Sequence, residues 1–435
     1  MSTKTEIRAI QRTTLPNGLR VVAAPDHSSP LVGVAVAYDV GFRSEPKGRT
    51  GFAHLFEHLM FEGSANVGKS EFARLIESAG GVLNGHTLAD LTAYYEALPS
   101  SALELALFLE ADRMRAPAVT EENLRNQVAV VEEEIKVNVL NQPYGGFPWI
   151  SLPEVAFDTY ENSHNGYGDF SHLEDASLSD ASSFHASYYA PSNAILTVAG
   201  DCDADDVFRL AERYFGSIAS SPAPSHGPWH ERALRADRHK VIEDPLAPQP
   251  AFALGYRTPD PIVDLDGLLA YAVAASVLAD GDASRLRSRL VHREHIVTDV
   301  SCYLGLFGVD SFFMRDPVLF QAVVNHPGIV ATDEIIGAID EEIFRLADLG
   351  PTPDELARVS VGTASAFWRE LDPVIERAST FASLEVVHGR AELALELPQR
   401  IGSVSASEVA AAARDLLAQH RTVVEIEPVM RDESA

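Results

Sequence analysis

Two histidines and a glutamate lie close together in the segment GFAHLFEHLMFEGS, residues 51–64. On an α-helix, His54 and His58 lie on one face about one turn apart, where two neutral imidazoles can bind one divalent ion. Glu57 lies beside that face, and its carboxylate could reach a metal-bound water. The order H-x-x-E-H is the inverse of the zincin motif. Because zinc lowers the pKa of a bound water and a carboxylate can then remove its proton, we predict a catalytic metal site with Glu57 as general base.

A third protein ligand is needed beside the two histidines. The segment VVEEEI offers Glu132, Glu133 and Glu134. Consecutive helix residues point about 100° apart, so at most one of the three carboxylates faces the site. The residues alone leave two alternatives open: a solvated acidic face for the three glutamates, and an amphipathic helix with incidental polar residues for the histidine segment.

Alternating strand and helix patterns surround these residues. Periodicity predicts helices over residues 51–62 and 69–79, another in SALELALFLEADRM, and a fourth that begins near Thr120. Both halves of the chain look like degenerate copies of one strand–helix plan, joined by the Ser- and Pro-rich segment SIASSPAPSHGPWH. We therefore predict a metal-binding catalytic domain over 1–216, a linker over 217–232 and a second domain, without metal, over 233–435.

The composition narrows the classes of partner. The 435 residues include 63 acidic and 34 basic ones, giving a formal charge of −29. Such a field disfavours nucleic acid and favours cationic peptides. Only two cysteines are present, the N-terminal segment lacks the apolar region of a secretory signal, and no apolar run is long enough to span a bilayer. We expect a cytoplasmic protein that does not bind membranes.

Several stretches resemble one known family. HLFEHLMFEGS, GGVLNGHT with DLTAYYEALP, LFLEADRM, NQVAVVEEEIKVN and NQPYGG follow one another in the order found in the pitrilysin and mitochondrial-processing-peptidase family of inverzincins. The resemblance covers most of residues 14–216. It implies that Glu134, followed by Ile135, is the third ligand, and that each chain binds one zinc ion.

The same resemblance implies a fold and a substrate. The α+β fold would have two similar domains, each an antiparallel β-sheet with helices packed on it, forming half of a clamshell that admits extended peptides. Asn84 would lie on an edge strand that binds the substrate backbone by β-addition; a plain Gly/Asn turn is the alternative for GGVLNG. The function implied is that of a zinc-dependent endopeptidase or oligopeptidase subunit acting on cationic or unfolded peptides. A non-catalytic scaffold subunit and a small-amide metallohydrolase are the alternatives.

The chain departs from the family pattern at two places. Many relatives have a glutamate seven positions before the metal-ligating one, where this chain has Gln127, so any electrostatic support of the ligands at that position is altered. Active relatives also offer a closely spaced Arg and Tyr in the second half that stabilise the oxyanion. Arg293 and Tyr303 lack that spacing. We therefore expect a heterodimer with a related chain that lacks the metal motif and supplies the Arg/Tyr pair, or otherwise a homodimer.

Overall fold

The computed structural model describes residues 10–227 and 229–429. Contacts between residues divide the chain into two units. One unit holds the chain up to Glu132, Asn165–Gly227 and Phe367–Leu395. The other holds Glu133–His164, the chain from residue 229 to Ala366, and the chain from Glu396 onward.

The first unit is built on a six-stranded sheet. Its strands are β1 (Gln11–Thr14), β2 (Arg20–Pro25), β3 (Leu31–Tyr38), β4 (Val82–Thr87), β5 (Thr92–Pro99) and β6 (Ala194–Gly200). Their order across the sheet is β1-β2-β6-β3-β5-β4, so β4 is an edge strand. All neighbours are antiparallel except β2 and β6, which are parallel.

The second unit has a sheet of the same size. Its strands are β7 (Arg238–Asp244), β8 (Ala251–Arg257), β9 (Asp299–Leu306), β10 (Val309–Asp310), β11 (Leu319–Asn325) and β12 (Thr422–Pro428). The order is β10-β9-β11-β8-β12-β7, and only β7 and β12 run parallel.

The two sheets share one topology. When β1 and β10 are left out, the first sheet has the order β2-β6-β3-β5-β4 and the second, taken from its other edge, has the order β7-β12-β8-β11-β9. In each sheet the first strand along the chain pairs in parallel with the last, and the second, fourth and third strands follow as antiparallel neighbours. The predicted fold class, two similar α+β domains, is confirmed, with one correction. Each sheet is mixed rather than purely antiparallel, because its first and last strands join through a long crossover and so can pair in parallel.

Helices occupy most of the remaining described chain. They are α1 (Phe52–Leu59), α2 (Glu71–Ser78), α3 (Leu103–Arg115), α4 (Glu121–Ile135), α5 (Ser151–Ala156), α6 (Tyr160–Ser163), α7 (Phe170–Glu174), α8 (Leu178–Tyr188), α9 (Ala204–Phe215), α10 (Leu265–Ala279), α11 (Thr332–Leu349), α12 (Pro353–Leu371), α13 (Val374–His388), α14 (Leu393–Gly402) and α15 (Ala406–Ala418). Short π-helical segments follow at Lys136–Leu140 and Arg287–Arg293. Among the described residues, no helix has both the length and the apolar character that crossing a bilayer requires.

Each sheet is covered by a helix that is distant in sequence. Helix α13 packs on β3, β5 and β6 of the first sheet. Its approach is close, because a Cβ on Gly33 would lie 2.2 Å from the carbonyl oxygen of Val374. Helix α5 packs in the same way on the second sheet, with Leu152 against Gly255. The contact units are therefore interleaved along the chain, and the sequential boundaries at 216 and 233 stay a prediction.

Candidate metal centre

Helix α1 carries the histidine motif. Its buried side chains, among them Leu55 and Phe56, anchor one face in the unit, which leaves His54, Glu57 and His58 on a less buried side. The imidazole centroids of His54 and His58 are 4.9 Å apart, and the rings are nearly perpendicular at 85°. The predicted helix and its one-turn spacing are therefore present.

The residue immediately before helix α1 must be small. Gly51 has φ of +85°, and a Cβ there would lie 2.7 Å from the carbonyl oxygen of Tyr167. Both conditions favour glycine, which adopts positive φ without steric cost. The Tyr167 ring in turn packs edge-on against His54, with 5.4 Å between the ring centroids.

Glu134 is the acidic residue that lies near both histidines. One ligand atom from each of His54, His58 and Glu134 lies within 4.8 Å of the others. Within residues 10–227 and 229–429, this is the only group of three or more such side chains that could hold a metal ion. By contrast, the Glu133 side chain is 69% exposed and lies 3.8 Å from the ammonium of Lys136.

The donor set fits zinc. Two imidazole nitrogens and one carboxylate oxygen form a three-ligand set typical of catalytic zinc, which leaves one position open. Ligand atoms about 2.1 Å from one ion lie roughly 3.5 Å from each other. The three donor atoms, which lie within 4.8 Å of one another, are thus close to the separation that a bound zinc ion would require.

The carboxylate of Glu57 is oriented by a residue that the sequence did not single out. Thr87, the last residue of β4, donates its hydroxyl proton to Glu57 Oε2 at 2.7 Å. The same hydroxyl lies 3.4 Å from the carbonyl oxygen of Ala53 on α1. The end of the edge strand is thus tied to the helix that carries the motif. An isolated threonine 30 positions downstream offers no local signal of this contact.

A second missed residue, Glu45, satisfies the first backbone groups of α1. Its Oε2 accepts the N–H of Gly51 at 2.9 Å and its Oε1 accepts that of Ala53 at 2.7 Å. Glu45 is only 2% exposed. The first N–H groups of a helix have no partner within the helix, and a carboxylate there also interacts favourably with the helix dipole. Glu45 thus fixes the start of the helix on which the motif lies.

Asn84 lies on the edge strand, as the resemblance implies, but its side chain does not face Glu57. Successive strand residues point to opposite faces, so Asn84 and Thr87 lie on opposite faces of β4. Asn84 is exposed, pairs in register with Tyr95, and accepts the N–H of Gly85 at 2.9 Å. Its part in binding substrate stays a prediction, and one that fits backbone pairing along β4 better than a side-chain contact near the motif.

The residues at which the chain departs from the family pattern form hydrogen bonds with residues outside the histidine motif. Gln127 donates to Glu62 Oε1 at 2.8 Å. Arg293 donates to the carbonyl oxygen of Ser288 at 3.2 Å, and Tyr303 to Gln321 Oε1 at 3.4 Å. Burial raises the pKa of Tyr303 to about 12, so this phenol stays protonated at neutral pH.

A buried charged cluster lies in the same unit. The guanidinium of Arg113 pairs with Glu110, with Nε 2.8 Å from Oε2, and both side chains are almost fully buried. Its carbon lies 4.3 Å from the ring centre of Tyr94, which also packs against Phe61 just beyond α1. Burial, together with the Glu110 carboxylate, raises the pKa of Glu96 well above its ordinary value. This cluster supports the chain around the motif without contributing a ligand.

Comparisons with known proteins point to one family. Residues 20–145 match the family model described as "Insulinase (Peptidase family M16)", and residues 175–360 match "Peptidase M16 inactive domain". The chain is 29% identical over 379 residues to "Zinc protease PqqE" of Helicobacter pylori, covering 86% of this chain and 82% of that protein. It is 27% identical over 230 residues to "Probable mitochondrial-processing peptidase subunit beta" of Schizosaccharomyces pombe, covering 50% of this chain and 47% of that one.

A solved structure supports the fold. The crystal structure of a protease from Helicobacter pylori superposes with a TM-score of 0.87 at 24% identity, covering 97% of this chain and 100% of that one. The two family models follow each other along the chain, and the histidine motif lies within the first of them. The resemblance drawn from the sequence is therefore confirmed: the chain belongs to the M16 family of peptidases, to which pitrilysin and the mitochondrial processing peptidases are related.

Proposed function

We propose that this protein is a zinc-dependent endopeptidase or oligopeptidase subunit. His54, His58 and Glu134 hold one zinc ion, and Glu57 acts as general base. The observation that carries the proposal is the convergence of three donor atoms within 4.8 Å, next to a glutamate that a threonine orients. A scaffold subunit has no need of this complete set.

The chain's own residues account for the proton transfers. A zinc ion held there would polarise a carbonyl and acidify a water molecule. Glu57 accepts the proton of that water and then gives it to the departing amine of the cleaved peptide bond. The hydroxyl of Thr87 fixes Oε2 of Glu57, so that the carboxylate need not reorient during the reaction.

The substrate class follows from charge and from the sheet edge. A chain with a formal charge of −29 attracts cationic peptides, and this preference should weaken as salt rises. Strand β4 is the edge of its sheet, and an extended peptide can add there through backbone hydrogen bonds near Asn84. We propose that unfolded or extended basic peptides are cleaved, and that the protein acts in the cytoplasm, which cell fractionation would test.

Three Glu→Gln variants test the assignment. Glu134→Gln should lose most bound zinc and all peptidase activity, because an amide oxygen is a weak zinc ligand. Glu57→Gln should keep its zinc and lose turnover, because the amide cannot accept a proton. Glu133→Gln is the matched control and should keep both. Zinc is measured by elemental analysis and activity with quenched fluorescent peptides. Full zinc in Glu134→Gln, or normal turnover in Glu57→Gln, would contradict the proposal.

The same assay separates the alternatives and tests the partner. Zinc bound without cleavage of any peptide would favour the scaffold function, and cleavage of short amides alone would favour a small-amide hydrolase. We further propose that a related chain without the metal motif supplies the oxyanion donors, since Arg293 and Tyr303 have other hydrogen-bond partners. Loss of such donors costs about 10²–10³ in rate. Weak activity that rises on mixing with that chain supports a heterodimer, whereas full activity from a pure homodimer contradicts it.

A further inference from the structure

One hydrogen bond joins the two chain segments that carry the metal donors. The carboxylate of Glu62 accepts the amide N–H of Gln127 at 2.8 Å and lies 2.5 Å from the ammonium of Lys69. Glu62 is only 8% exposed, although the Lys69 side chain is 51% exposed. The bond spans 65 positions of sequence, so neither local segment could form it alone.

The two bonded residues stand in fixed relation to the donors. Glu62 follows His58 by four residues, and its N–H bonds to the carbonyl oxygen of Leu59, so the turn after α1 continues to it. Gln127 precedes Glu134 by seven residues on α4, which is about two turns and roughly 10 Å along the same helix face. A slide or rotation of α4 relative to α1 would therefore stretch the Gln127–Glu62 hydrogen bond and, at the same time, move Glu134 away from the histidines.

The amide is the right group for this contact. An ionised carboxylate can only accept hydrogen bonds, and the Gln127 side chain offers it a donor. A glutamate at position 127, which the family resemblance implies for many relatives, would place two carboxylates against each other in a largely buried location. Like charges in that setting repel, and one of them would have to bind a proton or turn away.

We propose that Gln127 and Glu62 are a positioning pair that sets where Glu134 lies relative to His54 and His58. Neither residue touches the metal. The pair acts by holding α4 in register with the turn after α1. This inference rests on the proposed zinc site, and it adds two residues whose effect on metal affinity is indirect.

An exchange of the two side chains tests the pair in the full chain. Gln127→Glu should weaken zinc binding about tenfold or more, as changes to groups supporting metal ligands commonly do. The double variant Glu62→Gln with Gln127→Glu restores a donor and an acceptor and leaves an amide oxygen toward Lys69. Its zinc affinity should return to within about threefold of wild type, because the coupled pair has been rebuilt. Asn126→Asp, which adds the same charge at the exposed neighbouring position, should bind zinc like wild type.

Affinity is measured by competition with a chromophoric chelator, using zinc alone as the probe. The absorption spectrum of bound Co²⁺ reports ligand geometry independently, and urea unfolding of the zinc-free variants reports global stability. Wild-type affinity in Gln127→Glu would overturn the inference, as would a double variant no better than the single one, or equal weakening in Asn126→Asp. A wild-type chain that binds no zinc would overturn the proposed function and this inference with it, whereas tight wild-type binding with unaffected variants would overturn the inference alone.

Discussion

Replacing Glu45 by alanine should loosen the helix that carries the histidine motif. Glu45 accepts two backbone N–H groups, those of Gly51 and Ala53, at 2.9 and 2.7 Å. Both bonds are buried, and Glu45 is 2% exposed. Alanine would leave two donors at the start of α1 without this acceptor and would remove the negative charge that faces the helix dipole.

The size of the effect follows from these two bonds. A hydrogen bond to a charged group contributes about 1.5–3 kcal/mol, and a buried donor left unsatisfied costs a similar amount. Partial entry of water reduces the sum, so Glu45→Ala should lower the free energy of unfolding by about 3–5 kcal/mol. That is a large share of the roughly 5–15 kcal/mol typical of native proteins. Glu45→Gln should lie in between, because its amide oxygen can accept one of the two N–H groups.

The control variant Glu71→Ala shows whether the loss of stability depends on the burial of Glu45, because Glu71 also accepts a backbone N–H but is more exposed. Glu71, the first residue of α2, accepts the N–H of Gly68 just before the helix, but its side chain is 39% exposed. Water can replace it, so Glu71→Ala should be far less destabilising. Urea unfolding of zinc-free protein measures stability, and hydrogen exchange of the peptide spanning Gly51 and Ala53 locates the change. Equal unfolding midpoints for Glu45→Ala and Glu71→Ala, or unchanged exchange in that peptide, would refute this account of α1.

Two further predictions concern the proposed base, Glu57, and the buried ion pair of Arg113 with Glu110. Thr87→Val keeps the shape of the side chain but removes the donor to Glu57, so kcat should fall about tenfold or more with KM and zinc content unchanged, and Thr87→Ser should recover most of it. A fall in zinc content instead of kcat would contradict a role through Glu57. Arg113→Ala leaves Glu110 buried without its cation and should lower the free energy of unfolding by about 3–5 kcal/mol; a change within error in urea unfolding would contradict this.

The motif could be predicted from the sequence because a single helix determines its geometry. His54, Glu57 and His58 lie within two turns of α1, and their relative directions follow from helix periodicity alone. Glu134 is different, since the run of three glutamates left the choice open and the prediction of Glu134 came from the resemblance to the family. Its placement near the histidines depends on how α4 packs, and sequence spacing does not encode packing.

The placement of α13 could not be predicted from the sequence. Its residues include Glu385, Ser379 and Thr380, which would ordinarily mark a solvated face, yet all three are buried. Glu385 is paired with Arg12, whose Nη2 lies 2.9 Å from Oε2 of the Glu385 carboxylate. That partner is 373 positions away, so no local pattern shows that the charge is satisfied. The parallel pairing of β2 with β6 and the interleaving of the two units also depend on contacts between residues far apart in sequence, which no local pattern shows.

The residues that were missed at the centre have one property in common. Glu45, Thr87 and Glu62 each act on the motif or its neighbouring helix through side-chain hydrogen bonds that the H-x-x-E-H pattern does not contain. Glu45 binds the N–H groups of Gly51 and Ala53 nearby, whereas Thr87 and Glu62 each join a segment distant in sequence. H-x-x-E-H would be found unchanged in a chain that had valine at all three positions, although its helix start, the proposed base and the proposed third ligand would then lack these supports. A motif thus identifies donors that one helix can align, but not whether the fold holds them there. A sharper test of catalytic competence would require the motif together with a buried acceptor just before α1, a hydroxyl at the end of the edge strand, and a donor–acceptor pair between the turn after α1 and α4.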